Sequence, residues 1–141
     1  HTVSVDRSET AISWLKDNLE LNRLHGPVHE LIQTDVPDFL KQAKKGCVPF
    51  DLAVVDPPSY STTRLKNRHQ DLAKDHPELL NAVFELINPG GTVLFSTNHQ
   101  NFKLQTDRLS ITDIQEITDR TIPEDYKNKR KQIHRCWEMT I

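Results

Sequence analysis

Phe50-Asp51-Leu52-Ala53-Val54-Val55-Asp56-Pro57-Pro58-Ser59-Tyr60 is the stretch on which the fold turns. A mostly apolar, β-prone run leads straight into a carboxylate, two prolines, a hydroxyl and an aromatic ring, the pattern of a buried parallel strand emptying into a stiff loop. The prolines fix φ and remove two backbone donors, so Asp56 and Tyr60 project from a rigid corner. In open α/β sheets ligands bind outside the carboxyl ends of the strands, which makes this corner the first place to expect chemistry.

Toward the N-terminus the same punctuation recurs. Thr2 to Val5 reads as a short strand closed by Asp6, and Asp6 or Ser8 can cap a helix with Ile12, Leu15 and Leu19 on one face and Lys16, Asp17 and Glu20 on the other. Strand, acid, helix is the pattern of a nucleotide-binding βα unit, whose acid hydrogen-bonds ribose hydroxyls; it is also the pattern of a plain helix cap. Gly26-Pro27 marks a turn, and Val28 to Thr34 predicts a second strand closed by Asp35. Asp35-Val36-Pro37-Asp38 then starts an amphipathic helix carrying Phe39, Leu40 and Ala43, where Asp35 reads either as an N-cap or as a ligand.

Toward the C-terminus, Ser61 to Arg68 is polar and basic without apolar period, a loop carrying Arg64, Lys66 and Arg68. Helix is expected to resume near Gln70, with Asp75-His76-Pro77-Glu78 as a restart: proline suits a first turn, and Glu78 completes a capping box. Leu79, Leu80, Val83, Phe84 and Ile87 form its apolar stripe, and Asn88-Pro89-Gly90-Gly91 stops it. Thr92 to Ser96 predicts a buried strand ending in Thr97-Asn98-His99, followed by a short helix from Phe102 to Leu109, a strand from Ile114 to Thr118 and a last strand from Ile133 to Ile141. In the charged loop from Pro123 to Arg130 and its flank, Lys127, Lys129, Arg130, Lys131 and Arg135 outweigh Glu124 and Asp125. Such a cluster can neutralise phosphates, or it can be a solvated loop.

With 141 residues, 35% hydrophobic and 27% charged, the chain is about one soluble domain. A net charge of -2 gives no support for nucleic-acid binding, so any such role must come from local patches. No run approaches the roughly 18 apolar residues of a membrane span, and no signal peptide opens the chain, which predicts a cytoplasmic protein without a membrane partner. Cys47 and Cys136 are too few for a disulfide framework and read as buried small apolar residues. Of the seven histidines, His25 and His29 straddle Gly26-Pro27 and share no helical face, so no metal is expected.

Together these features resemble an S-adenosylmethionine (SAM)-dependent methyltransferase, an α/β fold with a Rossmann-like sheet. Val5-Asp6-Arg7-Ser8, Leu31-Ile32-Gln33-Thr34-Asp35, Asp56-Pro57-Pro58-Ser59-Tyr60-Ser61, Gly90-Gly91-Thr92 with Phe95-Ser96-Thr97-Asn98, and Ile133-His134-Arg135-Cys136-Trp137 are similar to one family in particular. It is the C-terminal, 7-methylguanosine-forming domain of the bacterial bifunctional large-subunit ribosomal RNA guanine methyltransferases, and the similarity runs along essentially the full chain. The resemblance implies that SAM is the cofactor, that Asp6 holds the ribose hydroxyls with Ser8 nearby, and that Asp35 with Val36 holds the adenine. It also implies that Asp56, Pro57, Pro58, Ser59, Tyr60 and Asn98 border the methyl group and the target base. Arg64, Lys66, Arg68, Lys127, Lys129, Arg130 and Lys131 would contact ribosomal RNA.

The chain departs from the family at its beginning. Such domains carry a glycine-rich loop after a first strand, whereas the four glycines here are Gly26, Gly46, Gly90 and Gly91. In the family that strand lies centrally, between the strands ending at Asp6 and Asp56, so its absence is expected to leave unpaired edges in the sheet. The expectation is therefore a fragment, inactive alone, whose partner is the upstream part of the same parent protein. Guanine N7 has a lone pair and no proton, so no general base is needed. Cytosine C5 methylation would require a cysteine thiolate near Pro58 to Ser61 or Ser96 to Asn98, and there is none. The alternatives left open are methylation of the exocyclic guanine amine or another RNA base, and a non-catalytic nucleotide-binding or dinucleotide-binding domain.

Overall fold

The computed structural model describes residues 1–24, 26–46, 49–58, 72–99, 101–127 and 133–141. They fall into two compact units, His1–Cys47 and Val48–Ile141.

In the first unit, strand β1 (Thr2–Asp6) is followed by helix α1 (Glu9–Leu21), strand β2 (His29–Gln33) and helix α2 (Val36–Ala43). β1 and β2 pair in parallel from Thr2 opposite His29 to Asp6 opposite Gln33. Ser8 is the cap of α1: extended in its backbone, it accepts the Ala11 N–H at 3.2 Å through its hydroxyl. The helix ends with Leu24 N–H bonded to Leu19 O at 2.8 Å and Arg23 N–H to Glu20 O at 3.0 Å. This double closure needs a left-handed residue, and Arg23 takes it at φ 59° where glycine is the usual occupant. α1 buries no residue, and α2 buries Leu40 and Ala43.

The second unit contains strand β3 (Phe50–Val55), helix α3 (Leu72–Phe84), strand β4 (Ile87–Thr97), strand β5 (Asp113–Glu116), the short helix α4 (Thr118–Thr121) and strand β6 (Arg135–Thr140). The strand order is β3-β4-β6-β5, with β3 parallel to β4 and the other two contacts antiparallel. Its core lies on one face, where Val93, Phe95, Thr97, Trp137 and Met139 are buried against His76, Leu80 and Phe102. Phe95, Phe102 and Trp137 stand 5.5 to 5.6 Å apart, ring centroid to centroid. Each such pair adds about 0.5–1.5 kcal/mol beyond the area it buries.

Several expectations are corrected. β3 is covered on one face only among the described residues: Leu52 and Val54 on the other are 56% and 70% exposed. Pro77 does not open a new helix but sits inside α3. Its missing N–H strands the Ala73 carbonyl, and Gln105 Nε2 donates to that oxygen at 3.0 Å. The adjacent His76 is fully buried, its Nδ1 donating to Leu72 O at 2.9 Å and its Nε2 accepting the Gln105 N–H at 3.1 Å. Those partners require the neutral ring, and burial pushes its pKa down against the raising effect of the backbone bonds.

The expected helix from Phe102 to Leu109 shrinks to a 3-10 turn at Thr106–Arg108, because Phe102 enters the aromatic core and Gln105 is bonded to α3. The strand expected over Ile114 to Thr118 ends at Glu116, where Thr118 turns into α4 and its hydroxyl takes the Cys136 N–H at 3.0 Å. Asn88-Pro89-Gly90-Gly91 lies within β4 rather than before it. Phe50 pairs with Ile87 and Leu52 with Thr92, so Asn88 to Gly91 bulge between them. Gly90 is left-handed at φ 81°, and a Cβ at Gly91 would stand 2.5 Å from Ile87 Cγ2 and 3.0 Å from Asp51 O.

Candidate functional site

Each unit presents polar groups at the carboxyl ends of its parallel strands. In the first unit, Asp6 is the last residue of β1, and its Oδ1 accepts the Ser8 N–H at 2.7 Å. Asp35 follows the end of β2 and occupies the N-cap of α2 in an extended conformation, but its side chain makes no capping hydrogen bond. Its Oδ1 lies 3.7 Å from Arg7 Nε, a loose and exposed ion pair worth little on its own. Val36, the first residue of α2, is 38% exposed. Because β1 and β2 run in parallel register, Asp6 and Asp35 leave the sheet at the same end. Two exposed carboxylates there suit the two hydroxyls and the amine of an adenosine, the donor set of the cofactor implied by the sequence.

In the second unit, Asp56, Pro57 and Pro58 follow directly on β3. Asp56 Oδ1 accepts a hydrogen bond from Ser96 Oγ at 2.8 Å. The sequence marks Ser96 as part of the Phe95-Ser96-Thr97-Asn98 motif and as a position without a thiol but assigns it no role; the signal that it touches Asp56 is the strand pairing that puts Val55 opposite Phe95. Asn98 follows the end of β4 and is exposed. Behind it, Thr97 Oγ1 accepts the His99 N–H at 3.2 Å, and Arg135 Nη1 donates to Phe102 O at 2.7 Å, so the chain leaving β4 is tied to the core. Ser59, Tyr60, Arg64, Lys66, Arg68, Lys129, Arg130 and Lys131 lie outside the described residues, as do His25, His69 and Cys47.

Of the basic cluster, Lys127 and Arg135 lie among the described residues. Arg135 is not available to a phosphate: it holds both Glu116 oxygens, at 3.0 and 2.6 Å, and lies over the Trp137 ring at 4.7 Å. The Arg135 hydrogen bonds in turn keep the Glu116 carboxyl below its ordinary range. Lys127 is exposed and paired with Glu124.

Cys136 faces Ser96 across the β4–β6 register, in the same cross-strand row as Asp56. It is buried, and burial pushes its thiol pKa up, with the Asp56 and Glu138 charges acting in the same direction against a hydrogen bond to Thr121. A thiol so held is a poor nucleophile. Among the described residues no cluster of His, Cys, Asp and Glu has the makings of a metal site, and no helix is long and apolar enough to cross a membrane.

No protein-family model matches the chain. Individual proteins do. The chain is 36% identical over 139 residues to the ribosomal RNA large subunit methyltransferase K/L of Syntrophotalea carbinolica, covering 99% of this chain and 19% of that protein. It is 38% identical over 141 residues to the protein of the same name from Pseudoalteromonas atlantica, covering 98% of this chain and again 19% of the relative. The chain thus spans about a fifth of the length of the curated relatives it matches. Among solved structures, SMU.776, described as a methyltransferase complexed with S-adenosylhomocysteine (SAH), superposes with a TM-score of 0.80 at 21% identity over 99% of this chain and 39% of that one. The SAM-dependent methyltransferase from Agrobacterium tumefaciens gives 0.71 at 18% identity, over 98% of this chain and 48% of that one. The chain therefore carries the α/β fold of the SAM-dependent methyltransferases, and along nearly its whole length it is homologous to one segment of the ribosomal RNA large subunit methyltransferase K/L proteins.

Proposed function

We propose that this chain is part of a longer enzyme that transfers a methyl group from SAM to guanine N7 in large-subunit ribosomal RNA. The observation that carries the reading is the alignment of 99% of the chain, at 36% identity, with a protein named as a ribosomal RNA large subunit methyltransferase. The cofactor supplies an electrophilic methyl on a sulfonium sulfur. Asp6 accepts hydrogen bonds from the ribose hydroxyls, with one of its oxygens already held by the Ser8 N–H. Asp35, whose side chain is not engaged in capping α2, accepts from the adenine amine, with Val36 against the ring.

Asp56 and the proline corner, with Ser59, Tyr60 and Asn98, hold the target base. Tyr60 stacks on the purine, a contact worth about 1–3 kcal/mol per base in single-stranded recognition. N7 carries no proton, so these residues orient the base and exclude water rather than remove a proton; rate comes from holding nucleophile and methyl in line. Basic residues at Arg64, Lys66, Arg68, Lys127, Lys129, Arg130 and Lys131 neutralise RNA phosphates.

The chain works within its parent protein. Among the described residues β1 pairs with β2 alone and β3 with β4 alone, and Leu52 and Val54 on β3 are exposed. These features support a missing first strand and its glycine-rich loop as the contribution of another segment of the same protein. The chain by itself is then inactive.

Mass spectrometry of ribosomal RNA from cells lacking the parent gene tests the reading, with loss of one 7-methylguanosine as the expected result. Loss of a 2-methylguanosine alone would move the assignment to the exocyclic amine, whose N–H donors Asp56 could also accept. Titration of the intact protein with SAH and with NAD separates methyl transfer from a dinucleotide-binding role; binding of NAD alone would end the methyltransferase reading.

A further inference from the structure

A carboxylate that closes a strand is commonly held by the backbone N–H two residues on, as Asp6 Oδ1 is held by Ser8 at 2.7 Å. Asp56 has no such donor at the two following positions, because 57 and 58 are both proline. The hydrogen bond arrives instead from the neighbouring strand, Ser96 Oγ donating to Asp56 Oδ1 at 2.8 Å. Ser96 lies between two paired strands, with the β3 end on one side and Cys136 of β6 on the other, so its own placement is fixed by the sheet.

We propose that Ser96 is the positioning residue of Asp56, orienting its carboxylate so that one oxygen is engaged and the other receives N–H donors of the target base. This deepens the function proposed above and rests on it. A carboxylate oxygen only accepts. It matches the guanine edge, where N1–H and the 2-amino group donate side by side, better than the adenine edge, where a single donor, the 6-amino group, stands beside the N1 lone pair. The pair thus favours guanine over adenine, and without Ser96 the carboxylate loses the cross-strand hydrogen bond that orients it, which neither proline can replace with a backbone N–H.

The test uses the intact protein carrying this chain, with SAM and ribosomal RNA. Ser96→Ala is expected to lower kcat about tenfold to a hundredfold, the usual scale for losing one hydrogen bond to a charged group, with SAH affinity unchanged within twofold. Ser96→Thr, which keeps the hydroxyl, is expected to recover most of that loss. In a parallel binding arm with SAH present, Ser96→Ala is expected to narrow the preference for RNA with guanine over adenine at the target position. A Ser96→Ala protein that transfers and discriminates like the unsubstituted one overturns the proposal, and so does a loss that Ser96→Thr fails to restore. If the unsubstituted protein transfers no methyl group, the function proposed above fails, and the binding arm alone then decides the role of Ser96.

Discussion

Asp6 and Asp56 each close a parallel strand, yet Asp6 takes its hydrogen bond from Ser8, two residues along its own chain, and Asp56 takes it from Ser96, forty positions away. The contrast extends to the units around them. In the first, among the described residues, α1 buries nothing and Leu40 and Ala43 are the buried apolar side chains. In the second, Phe95, Leu80, Val93 and Met139 are all 0% exposed, and side chains from α3, β4 and β6 interlock. Local geometry survives when the surrounding packing is loose, whereas a contact made across strands is only as good as the register beneath it. Asp6 is thus held by a neighbour in its own chain, while the hydrogen bond to Asp56 depends on the pairing of β3 with β4.

Substitution at the two ends should separate them. Asp56→Ala in the intact protein is expected to lower 7-methylguanosine formation at least about a hundredfold with little change in melting temperature, since it removes a positioning group and no core volume. Asp6→Ala should instead weaken SAH binding about tenfold to a hundredfold, read by calorimetry, with a much smaller effect on kcat at saturating SAM. Equal losses of binding and turnover in both variants would break the comparison.

The register that serves Asp56 can be disturbed from a distance. A Cβ at Gly91 meets Ile87 and Asp51, so Gly91→Ala should cost about 1–3 kcal/mol in denaturant unfolding and reduce kcat, while leaving SAH affinity intact. A pH series sharpens the same point. His76 is held neutral below its ordinary value of 6.5, so the unfolded chain binds its proton first; stability from this group is complete above about pH 6.5 and is lost as pH falls toward the lower folded value. The neighbouring charges are Asp75 on its own helix, which opposes the shift, and Arg108, which adds to it. His76→Gln should flatten the unfolding midpoint as pH falls below 6.5, a change that begins above the range where Glu116, held below 4.5, titrates. The smallest effect belongs to the first unit: Arg23→Gly relieves a left-handed residue and should raise stability by up to about 1 kcal/mol without touching activity.

The strand ends were legible in the sequence because their punctuation is local. Asp6, Asp35 and Asp56 each follow an apolar run and precede a helix cap or a proline, and the structure places each at a parallel strand's carboxyl end. Their roles toward a ligand came from resemblance and stand as proposals. What was misread depended on distant partners. Pro77 looks like a helix start in any short window, since the donor that makes it tolerable inside α3 is Gln105. Arg135 counts as a free charge until Glu116 is brought across from β5. Asn88 to Gly91 carries every sign of a stop, and only the pairing of Phe50 with Ile87 shows that the strand has already begun.

The amide of Gln105 donates to the Ala73 carbonyl, whose usual helical donor is missing because residue 77 is proline. An ordinary residue at 77 would supply its own N–H to Ala73 O, and the Gln105 amide would then share that acceptor instead of replacing its helical donor. The two positions are therefore matched, and across relatives of this chain they should drift as a couple: lineages that lose the proline are released from keeping a long amide at 105, and lineages that keep it are not.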